Sequence, residues 1–194
     1  RLKSGDAAGA GSSLDEALTQ LPMPEPRTPP ELAPDGPTAI VLVESYAGLG
    51  IHTLLSIQRL FPRHFRNFVF CSVGLVDSGQ FKGPHALEAL ESKGRADLEK
   101  FVDFAARMGY YAEYRVTLGT DLIAELEAMC LDLVKEFRRP VVFAGQLVFQ
   151  RENLFTRSLH HETSFSIQRR LQFTGIQVII LPIRVWERRR AART

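Results

Sequence analysis

The chain has 194 residues, 45% of them apolar, and a formal charge of +2, enough length for one well-buried core and too little net charge for a general polyanion binder. No apolar run approaches the ~18 residues that a bilayer span needs, and no signal peptide opens the chain. The basic excess is local, in Arg169, Arg170, Arg184 and the tail Arg188, Arg189, Arg190 and Arg193, with no aromatic interleaving beyond Trp186. Nucleic-acid binding is therefore not expected.

Taken in order, residues 1–37 read as a leader. The first residue is Arg1 and not methionine, so a piece of a longer protein is expected. In SLDEALTQL, Ser13 and Glu16 have capping-box spacing and Leu14, Leu18 and Leu21 share a helical face, which predicts a short amphipathic helix. It would dock on the domain, on another copy or on an upstream region. Seven of the eleven prolines lie between Pro22 and Pro37, a density that leaves an extended arm.

From Thr38 onward, apolar runs alternate with helical stripes. Ala39–Val43 predicts a first strand, followed by the turn ESYAGLG and a helix from Ile51 to about Leu60. Phe68–Val76 reads as a second strand, and a helix over about His85–Met108 carries Leu98, Phe101, Val102, Ala105 and Met108 on one face. A third strand is predicted at Tyr111–Leu118. Thr120 is expected to cap a helix striped by Leu122, Leu126, Met129 and Leu133. Val141–Ala144 is a short fourth strand, then come Gly145, a polar loop to about His161, a basic helix, and a last strand ending in VIILPIRV.

Strict alternation implies a three-layer α/β/α domain over 38–186 with a five-stranded parallel sheet and a basic tail at 187–194. Right-handed crossovers from a central first strand give the order 3-2-1-4-5. The last strand is then an edge, apolar on both faces (Val178, Ile180, Pro182 against Ile179, Leu181, Ile183) where a solvent edge is normally blunted by charge. Pairing of two copies through it is expected to skip Pro182, which lacks a donor.

A parallel sheet gathers ligands where strand C-terminal ends meet helix N-termini, so the candidates lie there. Gly48 and Gly50 form a G-x-G turn after the first strand, but the third fingerprint position is Thr53, and a tight turn outweighs a phosphate cradle. Glu44, at the end of the first strand, could bind a ribose or base, or cap a helix. Gly145 opens the loop after the fourth strand, and Arg151, Arg157 and Arg169 could grip an anion such as a cyclic dinucleotide. No complete motif supports a cofactor. His160, His161 and Glu162 lack the second histidine of a zinc protease helix, since four positions after His161 stands Phe165, and a helix-start hydrogen-bonding role outweighs metal ligation. No G-x-S-x-G elbow or Walker sequence occurs, and no catalytic residue is assigned. Cys71 and Cys130, among apolar neighbours and without ligand spacing, are expected to be small buried hydrophobes, as suits a reducing cytoplasm.

The element order and the VIILPIRV strand resemble the universal stress protein fold of the adenine nucleotide hydrolase-like superfamily. Its nucleotide binders carry an acidic residue after the first strand and G-x-x-G, nine residues, then G-S/T after the fourth. Glu44 and Gly145 match, but the second glycine position is Val148 and no G-S or G-T follows, so poor ATP binding is expected. Longer segments, AIVLVESYAGLGIHTLLSIQRLFP and FAGQLVFQRENLFTRSLHHETSFSIQRRLQFTGIQVIILPIRV among them, look like the cytoplasmic C-terminal region of bacterial amino acid permeases of the amino acid–polyamine–organocation type. The resemblance implies a non-catalytic regulatory or assembly domain at the cytoplasmic face of the inner membrane, partnered by the transmembrane part of the same transporter. Arg1, Lys3 and the tail arginines would then give weak, salt-sensitive attraction to acidic lipid. The alternatives are a free-standing nucleotide-binding universal stress protein and, third, a small hydrolase using His160 or His161.

Overall fold

The computed structural model describes residues 23–44, 47–76, 84–149 and 161–185; the leader helix, the tail, and Arg151, Arg157 and His160 lie outside them. Five parallel strands, β1 (Thr38–Leu42), β2 (Asn67–Leu75), β3 (Tyr111–Gly119), β4 (Pro140–Phe149) and β5 (Val178–Val185), alternate with α1 (Gly48–Leu60), α2 (Pro84–Arg107), α3 (Leu122–Glu136) and α4 (His161–Phe173). The sheet order is β3-β2-β1-β4-β5, as right-handed crossovers from a central first strand require.

Two hydrophobic layers hold the sheet. Ala39 and Val41 of β1, Phe68 and Phe70 of β2, and Phe143 of β4 face α1 and α2, meeting Ile51, Leu54, Ile57, Leu98 and Phe101. On the other face Ile40, Val69, Cys71 and Val142 meet Leu126, Cys130 and Leu133 of α3 and Ile167 and Leu171 of α4. Apolar residues on both faces of β1 follow from its central place, because successive strand side chains point to opposite sides and both sides are covered. Aromatic rings knit the first layer: Phe70 stacks on Phe101 at 5.0 Å, and Phe65 meets Phe143 edge-on at 5.3 Å. Each such ring contributes about 1.5–3 kcal/mol by leaving water.

Three local expectations change. Asp121, not Thr120, caps α3, its carboxylate accepting from the N–H groups of Ile123 and Ala124 at 3.0 and 3.1 Å, because a carboxylate satisfies the orphan donors and suits the positive helix end better than a hydroxyl. The first helix begins at Gly48, inside the expected turn. Above all, β4 continues through Gly145 to Phe149, where a polar loop was expected. Its outer half pairs with β5, Gly145 opposite Leu181 and Phe149 opposite Val185, and that non-local pairing outweighs the weak strand propensity of Gly145-Gln146.

The arm of residues 23–37 crosses the end of the sheet where the strands begin. Buried Asn67 fastens it there. Its carboxamide donates to the Ala33 carbonyl at 2.9 Å and to Thr38 Oγ1 at 3.0 Å, and accepts from the Ala33 N–H at 3.0 Å.

Candidate functional site

The register of the strands creates a crevice. β1 ends at Leu42, opposite Cys71 and Ala144, while β2 runs on to Leu75 beside β3 and β4 runs on to Phe149 beside β5. Beyond β1 the sheet forks into a β2/β3 arm and a β4/β5 arm, at the point where the chain order reverses. Such switch points are where open parallel sheets hold ligands. The floor is the end of β1 itself: the Val43 N–H donates to the Cys71 carbonyl at 2.9 Å, and Ser72 Oγ donates to the Glu44 carbonyl at 3.1 Å. Ser72 thereby fixes the backbone that carries Glu44, whose side chain is exposed at the fork.

Helix α1 starts beside this floor. It opens on Gly48-Leu49-Gly50 after an extended Ala47, with no acidic residue in its first turn, so its positive end faces the crevice. Of the sequence candidates, Glu44, Gly48, Gly50 and Gly145 come together around the fork.

Two of these glycines have an explicit packing partner. A β-carbon on Gly50 would overlap the Phe101 ring of α2, and one on Gly145 would overlap Thr53 Oγ1 and touch Leu49. Gly145 therefore lets α1 lie close over β4. In a dinucleotide fingerprint the third glycine on the helix serves this close helix–strand approach. Here the helix carries Thr53 at that place and the strand carries the glycine instead. Thr53 stays folded back on its own helix, its hydroxyl donating to the Leu49 carbonyl at 2.7 Å. Sequence inspection finds Thr53 only as a missing glycine; its partner on β4 requires the fold.

The groups near the fork offer little for covalent chemistry. Burial raises the Cys71 thiol well above its ordinary range and pushes Cys130 up to about 12, so both remain protonated and unreactive at neutral pH. Both are buried, as expected of small hydrophobes. His52 on α1 is half-buried, its Nε2 enclosed without a hydrogen-bond partner, and burial lowers its pKa and keeps it neutral. Among the described residues no three histidine, cysteine or acidic side chains stand close enough to hold a metal ion. His161 is the first residue of α4. No described helix is long and apolar enough to cross a membrane.

No family model matches the sequence, and no curated protein matches it. None of the comparisons links the chain to an amino acid permease. Among solved structures, the crystal structure of a protein from the universal stress protein family from Burkholderia pseudomallei superposes with a TM-score of 0.54 at 16% identity, over 79% of this chain and 100% of that one. With the sheet order β3-β2-β1-β4-β5 and helices on both faces, this chain has the universal stress protein fold.

Proposed function

We propose that the chain is a non-catalytic regulatory or assembly domain on the universal stress protein fold, acting by association with a second copy through β5 and with the transmembrane part of an amino acid permease at the cytoplasmic face of the inner membrane. The observation that speaks against a triphosphate site is the seating of Gly145. A triphosphate cradle needs glycine backbone left open for close approach, and Gly145 is already covered by Leu49 and Thr53. The permease half is supported by the sequence segments alone.

The second reading, a nucleotide-binding universal stress protein, draws on the fold comparison more directly than the permease reading does. It is favoured by the fork itself, with the exposed Glu44 beside the first turn of α1, which carries no acidic residue. Calorimetry with magnesium ATP separates the two. The first reading expects no micromolar binding, and micromolar binding weakened by Glu44→Ala establishes the second. An upstream coding sequence rich in ~20-residue apolar helices is the independent test of the permease assignment.

A further inference from the structure

The four described helices leave the base of the sheet, where the strands begin, in two different ways. α2 and α4 exit through Gly109 and Gly175, at φ of 86° and 83°, the usual left-handed residue after a helix. α1 and α3 instead exit through Arg63 and Arg139, at φ of 59° and 48°, the only non-glycine residues with positive φ among those described. A residue with a β-carbon is disfavoured there. The two arginine exits lead to β2 and β4, the strands on either side of β1, whereas the glycine exits lead to the sheet's edges.

The arginines thus surround the point at which the arm enters β1. Arg66 and Arg139 each stand one residue before the partners of Thr38, which are Asn67 and Pro140, so their backbones lie about 10 Å apart on either side of the first strand. The Arg66 N–H donates to the Pro37 carbonyl and the Thr38 N–H to the Arg139 carbonyl. Arg59, Arg63, Arg66, Arg138 and Arg139 are all exposed. Of these five, only Arg138 has an ion pair among the described residues, with Asp35 at 3.1 Å. Glu25 and Glu31 are the other exposed acidic groups of the arm.

Apolar side chains lie exposed at the same end: Leu60 at the end of α1 (53%), Phe173 at the end of α4 (84%) and Leu32 of the arm (41%). Guanidinium groups suit phosphate oxygens, and apolar groups set among cations suit the headgroup–acyl boundary of a bilayer, not a nucleic-acid backbone.

We propose that the base of the sheet is a docking surface for an anionic lipid bilayer, with Arg59, Arg63, Arg66 and Arg139 as its contacts. The docked domain turns the fork, at the opposite end of the sheet, toward the aqueous side. Strain at Arg63 and Arg139 is tolerated because the charge is used. This inference stands apart from the permease reading, since it concerns only the surface of this chain.

The test is co-sedimentation of the whole chain with phosphatidylcholine vesicles containing, or lacking, about one third phosphatidylserine. Combining Arg59→Gln, Arg63→Gly, Arg66→Gln and Arg139→Gly should weaken binding to the anionic vesicles at least about tenfold. Neutralising the tail (Arg188→Gln, Arg189→Gln, Arg190→Gln, Arg193→Gln) should leave most of it. The pair Arg63→Gly and Arg139→Gly alone should lower vesicle binding while leaving the melting temperature unchanged or raised, a combination that mere structural damage does not produce. Anionic-vesicle binding by the fourfold arginine variant within roughly twofold of the parent chain, equal binding to neutral vesicles, or tighter binding to polyuridylate RNA than to anionic vesicles would each overturn the proposal.

Discussion

The two edges of the sheet are built to opposite specifications. On β3, Arg115 is bound to Glu113 and Glu136, the latter at 2.8 Å, and Tyr111 donates to Glu113 at 2.5 Å, so ion pairs and a phenol occupy the face beside α3. Charge of this kind blunts an edge against pairing with another chain. β5 has Leu181 and Ile183 sunk in the layer with α1, Val178 buried toward α4, Ile180 half-buried, and charge only at exposed Arg184. Its exposed Pro182 removes one donor without adding charge. The difference teaches that β3 carries charge along its edge while β5, among the described residues, carries only Arg184, which suits the proposed association through β5.

The comparison presumes that both edges hang from a common core. Phe143, fully buried in β4 against Phe61 and Phe65, tests that presumption, since Phe143→Ala should cost about 3–5 kcal/mol in urea unfolding. A loss below about 1 kcal/mol would mean the layer with α1 is not the core described.

Gly145→Ala acts on the β5 side alone, because the added carbon meets Thr53 and Leu49 where α1 lies over β4. About 1–3 kcal/mol of destabilisation is expected, and the same substitution at solvent-exposed Gly109 would instead report backbone strain, its φ being 86°. A neutral Gly145→Ala would return that glycine to the ligand reading.

On the charged edge, Glu113→Val with Arg115→Val should change stability by no more than about 1 kcal/mol, as partly exposed ion pairs contribute little. It should, however, induce concentration-dependent association seen by light scattering. If the double variant keeps the parent's assembly state, charge is not what protects β3.

The smallest effect concerns His52, on the helix that covers the inner face of β5. Burial lowers its pKa below 6.5, so the unfolded chain binds the proton more readily. Stability from this source is whole above pH 6.5 and declines as pH falls below it. His52→Gln should flatten the dependence of the urea midpoint between about pH 7.5 and 5.5, where imidazole titrates; an unchanged slope assigns the acid sensitivity elsewhere.

Both hydrophobic layers were legible because they rest on local period, in Leu98 and Phe101 on α2, Leu126 and Leu133 on α3, and the continuous runs of β1 and β2, and the strand order because right-handed crossovers leave few alternatives. What local pattern hides is anything set by a distant partner. The outer half of β4 depends on pairing with β5, and the Asn67 clamp depends on an arm 29–34 residues away. Gly145 reads as a loop opener until Thr53 is seen above it. Of the site, Glu44, Gly48, Gly50 and Gly145 were identified as neighbours of the switch point, but the packing duties of Gly50 and Gly145 were not. The arginines at the base carry no signal in the sequence because a positive φ leaves no mark on the residue type.

The claim that this chain acts by association is tested most directly by sedimentation equilibrium of the parent chain and of Ile180→Lys, which places a charge on β5. The account predicts a dimer for the parent and a monomer for the variant at the same concentration, with unchanged circular dichroism. A parent chain that remains monomeric at high micromolar concentration, or a variant that dimerises as well as the parent, would contradict it.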